Sequence, residues 1–318
     1  MRPAVLAAVV AVPMVAGGCR VPPAPPAGPV SAPARIELDA VPFFPQDAYQ
    51  CGPAALATLL AASGVDASPA ALVGEVYIPA RKGSLQAEML AATRQRQRIP
   101  YVLEPRFDTL VGLLAEGRPV LVLLNLGVRS WPIWHYAVVI GYERDAGRVL
   151  LRSGTTRRAA LSLRRFSGAW ARANDWGFVA LRPGEVPPAA NAPAFAAAVA
   201  DFEGVDADAA LLSYQAAMAR WPDEPLLRLG EANMLLARGD RARAEEALRG
   251  LLARAPRDVA ARNNYAELLS QRGCRAAALA EIDTARGYAR GTALAPTVDA
   301  TAGEIAARSA DPAASCPH

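Results

Sequence analysis

Histidine is nearly missing from this chain: the 318 residues hold 2, and one of them, His318, is the last residue behind a loose tail. Chemistry that needs an imidazole therefore falls on His135. Lysine is scarcer still, Lys82 being the single example. The 34 basic residues are thus almost all arginine, and they balance 30 acidic ones to a formal charge of +4. No long basic block occurs, and aromatic residues do not interleave with basic ones, so a pI of about 9.0 is no argument for a nucleic-acid surface. The apolar run Ala4 to Val15 is too short to be a comfortable membrane span. Cysteine occurs four times, at 19, 51, 274 and 316.

The amino-terminal run has one Arg before it and small residues after it, which is the make-up of a signal peptide over residues 1–18. Ala16-Gly17-Gly18-Cys19 resembles a bacterial lipobox, which implies a lipid on Cys19 and a new amino terminus there; an ordinary secreted precursor is the alternative. Residues 19–35 are then an anchor and a Pro-rich spacer, on the order of 45 Å if extended at roughly 3.1 Å per residue. Arg20 rather than Asp after the cysteine points to the outer membrane. The expected location is the bacterial cell envelope, lipid-anchored and facing the periplasm. Such a compartment permits disulfides. Cys274 and Cys316 could pair, which leaves Cys51 as the odd thiol.

Residues 36–184 read as an α+β unit. "PAALATLLAASG" is helical, with Pro53 in its first turn and Gly64 at its end. A short helix follows over 69–76, then one in "GSLQAEMLAATRQRQ" with Ser84 as cap, and "FDTLVGLLAEG" closed by Gly117. "PYVLEP", "RPVLVLLNL", "HYAVVIGYE", "RVLLRSG", "RRAALSL" and "WGFVAL" are strand-like, and "RDAG" is a hairpin turn. Helices first and strands later favour an antiparallel sheet. "RPGEVPPAANAP" reads as a linker, followed by alanine-rich helices over 191–310. There a period of 34 appears: Pro222 and Pro256, Gly239 and Gly273, Ala210, Ala244 and Ala278, Ala198, Ala232 and Ala266, and Tyr214, Leu248 and Ile282. In the first unit Gly204 sits one position early. This period resembles the tetratricopeptide repeat, which implies stacked helical hairpins and a protein partner.

Cys51 stands directly before Gly52-Pro53 at a helix start, where the helix dipole and an imidazolium could make a thiol of pKa about 8.5 a thiolate near neutrality. His135 opens a strand beside a loop, where a base could meet a substrate. Backbone N–H of Cys51 and the Gln46 amide could hold an oxyanion, at roughly 3 kcal/mol per donor. "PQDAYQCGPAAL" with a later "HYAVVIGY" resembles the papain-like bacteriocin-processing cysteine peptidases, which cut after double-glycine leaders. The resemblance spans roughly 40–182 and implies Cys51 as nucleophile, His135 as base and Gln46 as oxyanion donor. It also implies an Asp that orients the histidine. Ser153 occupies that place here, and Asn125 on the preceding strand is a second candidate. Trp131, Trp134 and Tyr136 are candidates for a substrate cleft, with at least one of them expected in the core. Gln86 and Glu88 read as solvated, and Cys274 as structural.

The expected function is an exported, lipid-anchored cysteine peptidase with helical repeats for protein binding, acting on a peptide or protein without cofactor or metal. The alternative is a weak or inactive peptidase-like scaffold in an envelope complex. Acyl transfer to an amine would use the same residues.

Overall fold

The computed structural model describes residues 33–311 and Cys316; the signal peptide, Cys19, most of the Pro-rich spacer and His318 lie outside them. Seven strands form one antiparallel sheet: β1 (Arg35–Glu37), β2 (Ile99–Val102), β3 (Val120–Asn125), β4 (Trp134–Glu143), β5 (Arg148–Ser153), β6 (Thr156–Ser162) and β7 (Gly177–Leu181). Their order is β2-β7-β3-β4-β5-β6, and β1 continues the β3 side of β4, from Glu37 opposite Gly141 to Arg35 opposite Glu143. Gly141 lies at a bulge in β4, and a side chain there would overlap the Ile36 carbonyl, so glycine lets β1 close in. Pro100 sits in β2, the sheet edge, where its missing N–H costs no ladder bond.

Both faces of the sheet are covered, which is why β3 and β4 read as continuous apolar runs. Leu121, Tyr136, Val138 and Ile140 face α1 (Cys51–Ala62), α2 (Pro69–Val76) and α3 (Gln86–Gln95). Val120, Val122, Leu124, Ala137 and Val139 face α4 (Phe107–Ala115) and α5 (Leu163–Ala171). Helix α1 is buried from Gly52 to Leu60, as an apolar helix without a polar stripe must be. Helix α5 has no counterpart in the sequence reading, although Leu163, Phe166 and Trp170 keep helical spacing behind the Ser162 cap, whose Oγ accepts from Arg165 N–H.

Seven further helices follow: α6 (Ala192–Ala200), α7 (Ala207–Arg220), α8 (Pro225–Ala237), α9 (Arg241–Arg254), α10 (Val259–Gln271), α11 (Arg275–Ala289) and α12 (Ala295–Ala307). From α7 onward each packs on the next in chain order. The periodic alanines 210, 232, 244, 266 and 278 are fully buried where helices cross, and Gly239 and Gly273 take positive φ between helices.

The segment read as a linker is not a free tether. Gly184 N–H donates to Ser213 Oγ, Ala189 N–H to Glu116 Oε1, and Asn191 N–H to the Tyr101 hydroxyl. Phe195, Tyr214 and Leu227 join the same apolar cluster as Val122 and Phe166, so the first helices after residue 191 share a core with the sheet rather than building their own.

Cys274, at the start of α11, is bonded to Cys316, and Asp311 N–H donates to the Gly273 carbonyl, so the tail folds back onto that turn. Closing a loop across 42 residues contributes roughly 4 kcal/mol in the chain-entropy picture. Cys274→Ser is therefore expected to lower the melting temperature and open the α11–α12 end to proteolysis first. Unchanged melting under both oxidising and reducing conditions would contradict this.

Candidate active site

Cys51 is the first residue of α1 and the free cysteine among the described residues. Gln50 precedes it as N-cap and gives no side-chain cap. The nearby backbone N–H groups of Tyr136, Gly52 and Cys51 favour the anion, but burial outweighs them and pushes the thiol above its ordinary range. The resting group is a neutral thiol, not the thiolate that the helix-start position suggests. Its neighbour Gly52 packs against Ser84, whose side chain a Cβ would overlap. Gly→Ala inside a helix ordinarily stabilises by about 1 kcal/mol. Here Gly52→Ala is expected to destabilise by about 1–3 kcal/mol through overpacking. A gain in denaturation midpoint would refute that reading of the contact.

His135 stands opposite Leu124 near the start of β4, and its Nε2 lies 2.8 Å from Ser153 Oγ at the end of β5. That leaves Nδ1 for the cleft. Burial pushes the imidazole below its ordinary range, so the ring is neutral as well. Among the described residues no hydrogen bond joins it to Cys51.

Asn125 is buried and does not touch the ring. Its Oδ1 accepts from Gly127 N–H (3.0 Å) and Ile133 N–H (3.1 Å), and its Nδ2 donates to the Val128 carbonyl, so it closes the β3–β4 loop. The alternative orienter is thereby corrected: the Asn125 side chain bonds within its own loop, and the imidazole is bonded to Ser153 instead.

Gln46 reaches the site through the loop that leads from β1 into α1. Its N–H donates to the Gly154 carbonyl, one residue beyond Ser153. Arg152 fastens the same loop. Its side chain is buried and donates to the carbonyls of Asp39, Val41 and Arg157, at 2.6 to 3.1 Å. The loop carrying Gln46 and the strand carrying Ser153 are thus tied together by hydrogen bonds. Sequence reasoning passed Arg152 over; its signal was an arginine directly after the apolar run Val149-Leu150-Leu151 in a strand.

Gln46, Cys51 and His135 line one cleft of about 710 Å³, with Tyr49, Trp134 and Tyr136 on its walls and Arg81 to Gln86 along one side. Trp131 is 78% exposed and not part of the wall, so the aromatic candidates divide: Trp134 is half-exposed lining, and Tyr136 is buried core that also borders the cleft. Ser84 is not the cap of α3. Leu85 holds the N-cap position without a side-chain bond, and the Ser84 hydroxyl is buried and unpartnered. Gln86 borders the cleft, and Glu88 has one buried carboxylate oxygen without a partner, so neither is simply solvated. No group of three or more His, Cys, Asp or Glu side chains suited to a metal occurs among the described residues.

Residues 38–175 match the sequence profile of the Peptidase_C39 like family. A solved structure described as a C39-like peptidase from Bacillus anthracis is similar over 46% of this chain and 98% of its own, at 15% identity and a TM-score of 0.39. No curated protein matches the chain.

Proposed function

We propose that the chain is a cysteine peptidase that cleaves a peptide bond through Cys51 and His135, with Ser153 holding the imidazole. The observation that carries this reading is the meeting, in one cleft, of a free thiol at a helix N-terminus and an imidazole whose far nitrogen is already engaged. The family match over 38–175 suggests a cysteine-type peptidase and a peptide or protein substrate.

In the step proposed, His135 takes the thiol proton as sulfur adds to the scissile carbonyl. The oxyanion is held by Cys51 N–H and the Gln46 amide. The imidazolium returns the proton to the departing amine as the C–N bond breaks, and water then releases the acyl group as an acid. Because both partners are neutral at rest, the proton passes from thiol to imidazole only as sulfur adds to the carbonyl, when the oxyanion donors and the Ser153-held ring accommodate the separated charges. Incubation with a fluorogenic peptide library, followed by intact-mass detection of a Cys51 acyl adduct, tests it. No cleavage and no adduct across the library would overturn it.

A second reading, a catalytically silent scaffold, draws support from the same resting geometry, in which thiol and imidazole are unbonded. Complementation of a deletion strain by Cys51→Ala would select it. In either reading, the periodic helices after residue 191 are proposed as tetratricopeptide-type repeats that bind a protein partner.

The chain is further proposed to be a lipoprotein of the cell envelope, lipidated at Cys19, facing the periplasm at the outer membrane. The Cys274–Cys316 disulfide supports an oxidising compartment. No described helix is long and apolar enough to cross a membrane. Cys19→Ser is expected to move the protein into the soluble fraction or block its processing; normal processing with unchanged membrane fractionation would refute the anchor.

A further inference from the structure

The charged side chains on the wall of the cleft are all of one sign. Arg81 and Lys82 stand there, while Asp47 and Asp175, next in sequence to the lining residues Gln46 and Asn174, are not part of the wall. Both cations are exposed, and among the described residues neither forms an ion pair or a side-chain hydrogen bond. Several arginines, such as Arg35, Arg96, Arg118, Arg158 and Arg308, reach carboxylates, while others, such as Arg129, Arg164 and Arg241, form no ion pair among the described residues; what sets Arg81 and Lys82 apart is that both line the cleft. Two cations without a carboxylate partner, on the wall that also holds the candidate nucleophile, are a charge left for a ligand.

The backbone around them is held in a costly shape. Ile78 and Gly83 close a tight loop, with Ile78 N–H donating to the Gly83 carbonyl at 2.8 Å. This forces Lys82 to φ 47°, a left-handed conformation unusual for lysine. Across the cleft Tyr49 is left-handed too, at φ 64°, and the Lys82 ammonium lies 5.4 Å from the centre of its ring. Two strained residues from different segments meet over the cleft, which is where ligand clamps store strain. Ser84, two residues beyond Lys82 on the same wall, adds a buried hydroxyl with no partner. The chain's single lysine is thus spent on this loop.

We propose, resting on the peptidase reading, that the cleft selects peptides carrying a carboxylate close to the scissile bond, received by Arg81 and Lys82. An Asp or Glu side chain and a free chain end present the same group, and the experiment separates them.

Acetylated, amidated decapeptides, each with Glu or isosteric Gln at one scanned position, are bound to the full-length Cys51→Ala protein and followed by fluorescence anisotropy. At the best position Glu is expected to bind about five- to tenfold more tightly than Gln, the worth of two partly solvated charge contacts, and the preference should shrink as salt rises. Arg81→Gln combined with acetylation of the single lysine should bring the ratio close to one. Lys82→Asn, which tolerates the left-handed backbone, checks that strain relief is not the cause. A neutral peptide with a free carboxyl terminus that binds as well as the Glu peptide would support carboxylate recognition and assign it to a chain end. Equal binding of Glu and Gln peptides at every position, with a free carboxyl terminus giving no gain, would overturn the inference whatever the cleavage results. Selective binding without cleavage by the Cys51-intact protein would overturn the peptidase reading alone.

Discussion

Cys51→Ala is expected to remove peptide cleavage entirely, by roughly four orders of magnitude or more, while leaving the melting temperature almost unchanged. The loss is large because Cys51 is the free thiol among the described residues and shares the cleft with His135, the proposed base. The fold survives because position 51 begins α1, alanine suits a helix, and the side chain lost is small. A companion measurement reads the protonation state. With the thiol pushed up by burial, alkylation by iodoacetamide should be slow at neutral pH and still rising beyond the ordinary thiol range. Fast alkylation that levels off below that range would show a preformed thiolate and refute the neutral resting pair.

Ser153→Asp is the change expected to raise activity, by about tenfold. Ser153 Oγ bonds the imidazole and orients it, but a hydroxyl does little for the positive ring formed in the reaction; a carboxylate at 2.8 Å would stabilise it. Ser153→Ala should lower activity modestly, since orientation alone is lost.

The Ser153→Asp change also has a signature in stability. In the native protein the folded imidazole has a lowered pKa, so as pH falls through about 6.5 the unfolded chain takes up a proton that the folded one refuses, and stability drops. In the Ser153→Asp protein the folded pKa of His135 rises, and that acid-side loss should shrink or reverse. Melting temperatures at pH 5 and pH 8 compare the two proteins. An identical acid-side decline in both would mean that residue 153 does not govern the ring.

What could be read without coordinates was local. The helix beginning at Cys51 is announced by Gly52-Pro53, the strand at His135 by its apolar run, and the helical hairpins by a 34-residue step that buries the same alanines in each unit. The missed helix α5 was local as well, since Ser162 and the spacing of Leu163, Phe166 and Trp170 are visible in the chain. Family resemblance brought Gln46 and Ser153 to attention, but Ser153 and Asn125 could not be separated, because both stand at the ends of strands near His135.

Chain path decided that choice. Asn125 is consumed by the loop that follows it, whereas pairing of β4 with β5 carries Ser153 to the ring. Burial, which sums over distant segments, pushes the Cys51 thiol up and the His135 imidazole down, against the thiolate expected from the helix dipole and an imidazolium. The shared core of sheet and helices, the Cys274–Cys316 bond and the meeting of Lys82 with Tyr49 have the same origin. Turn chemistry and periodicity act over a few residues and are written in the chain. Contacts between segments far apart in sequence depend on register and packing, which arise only when the whole chain has folded.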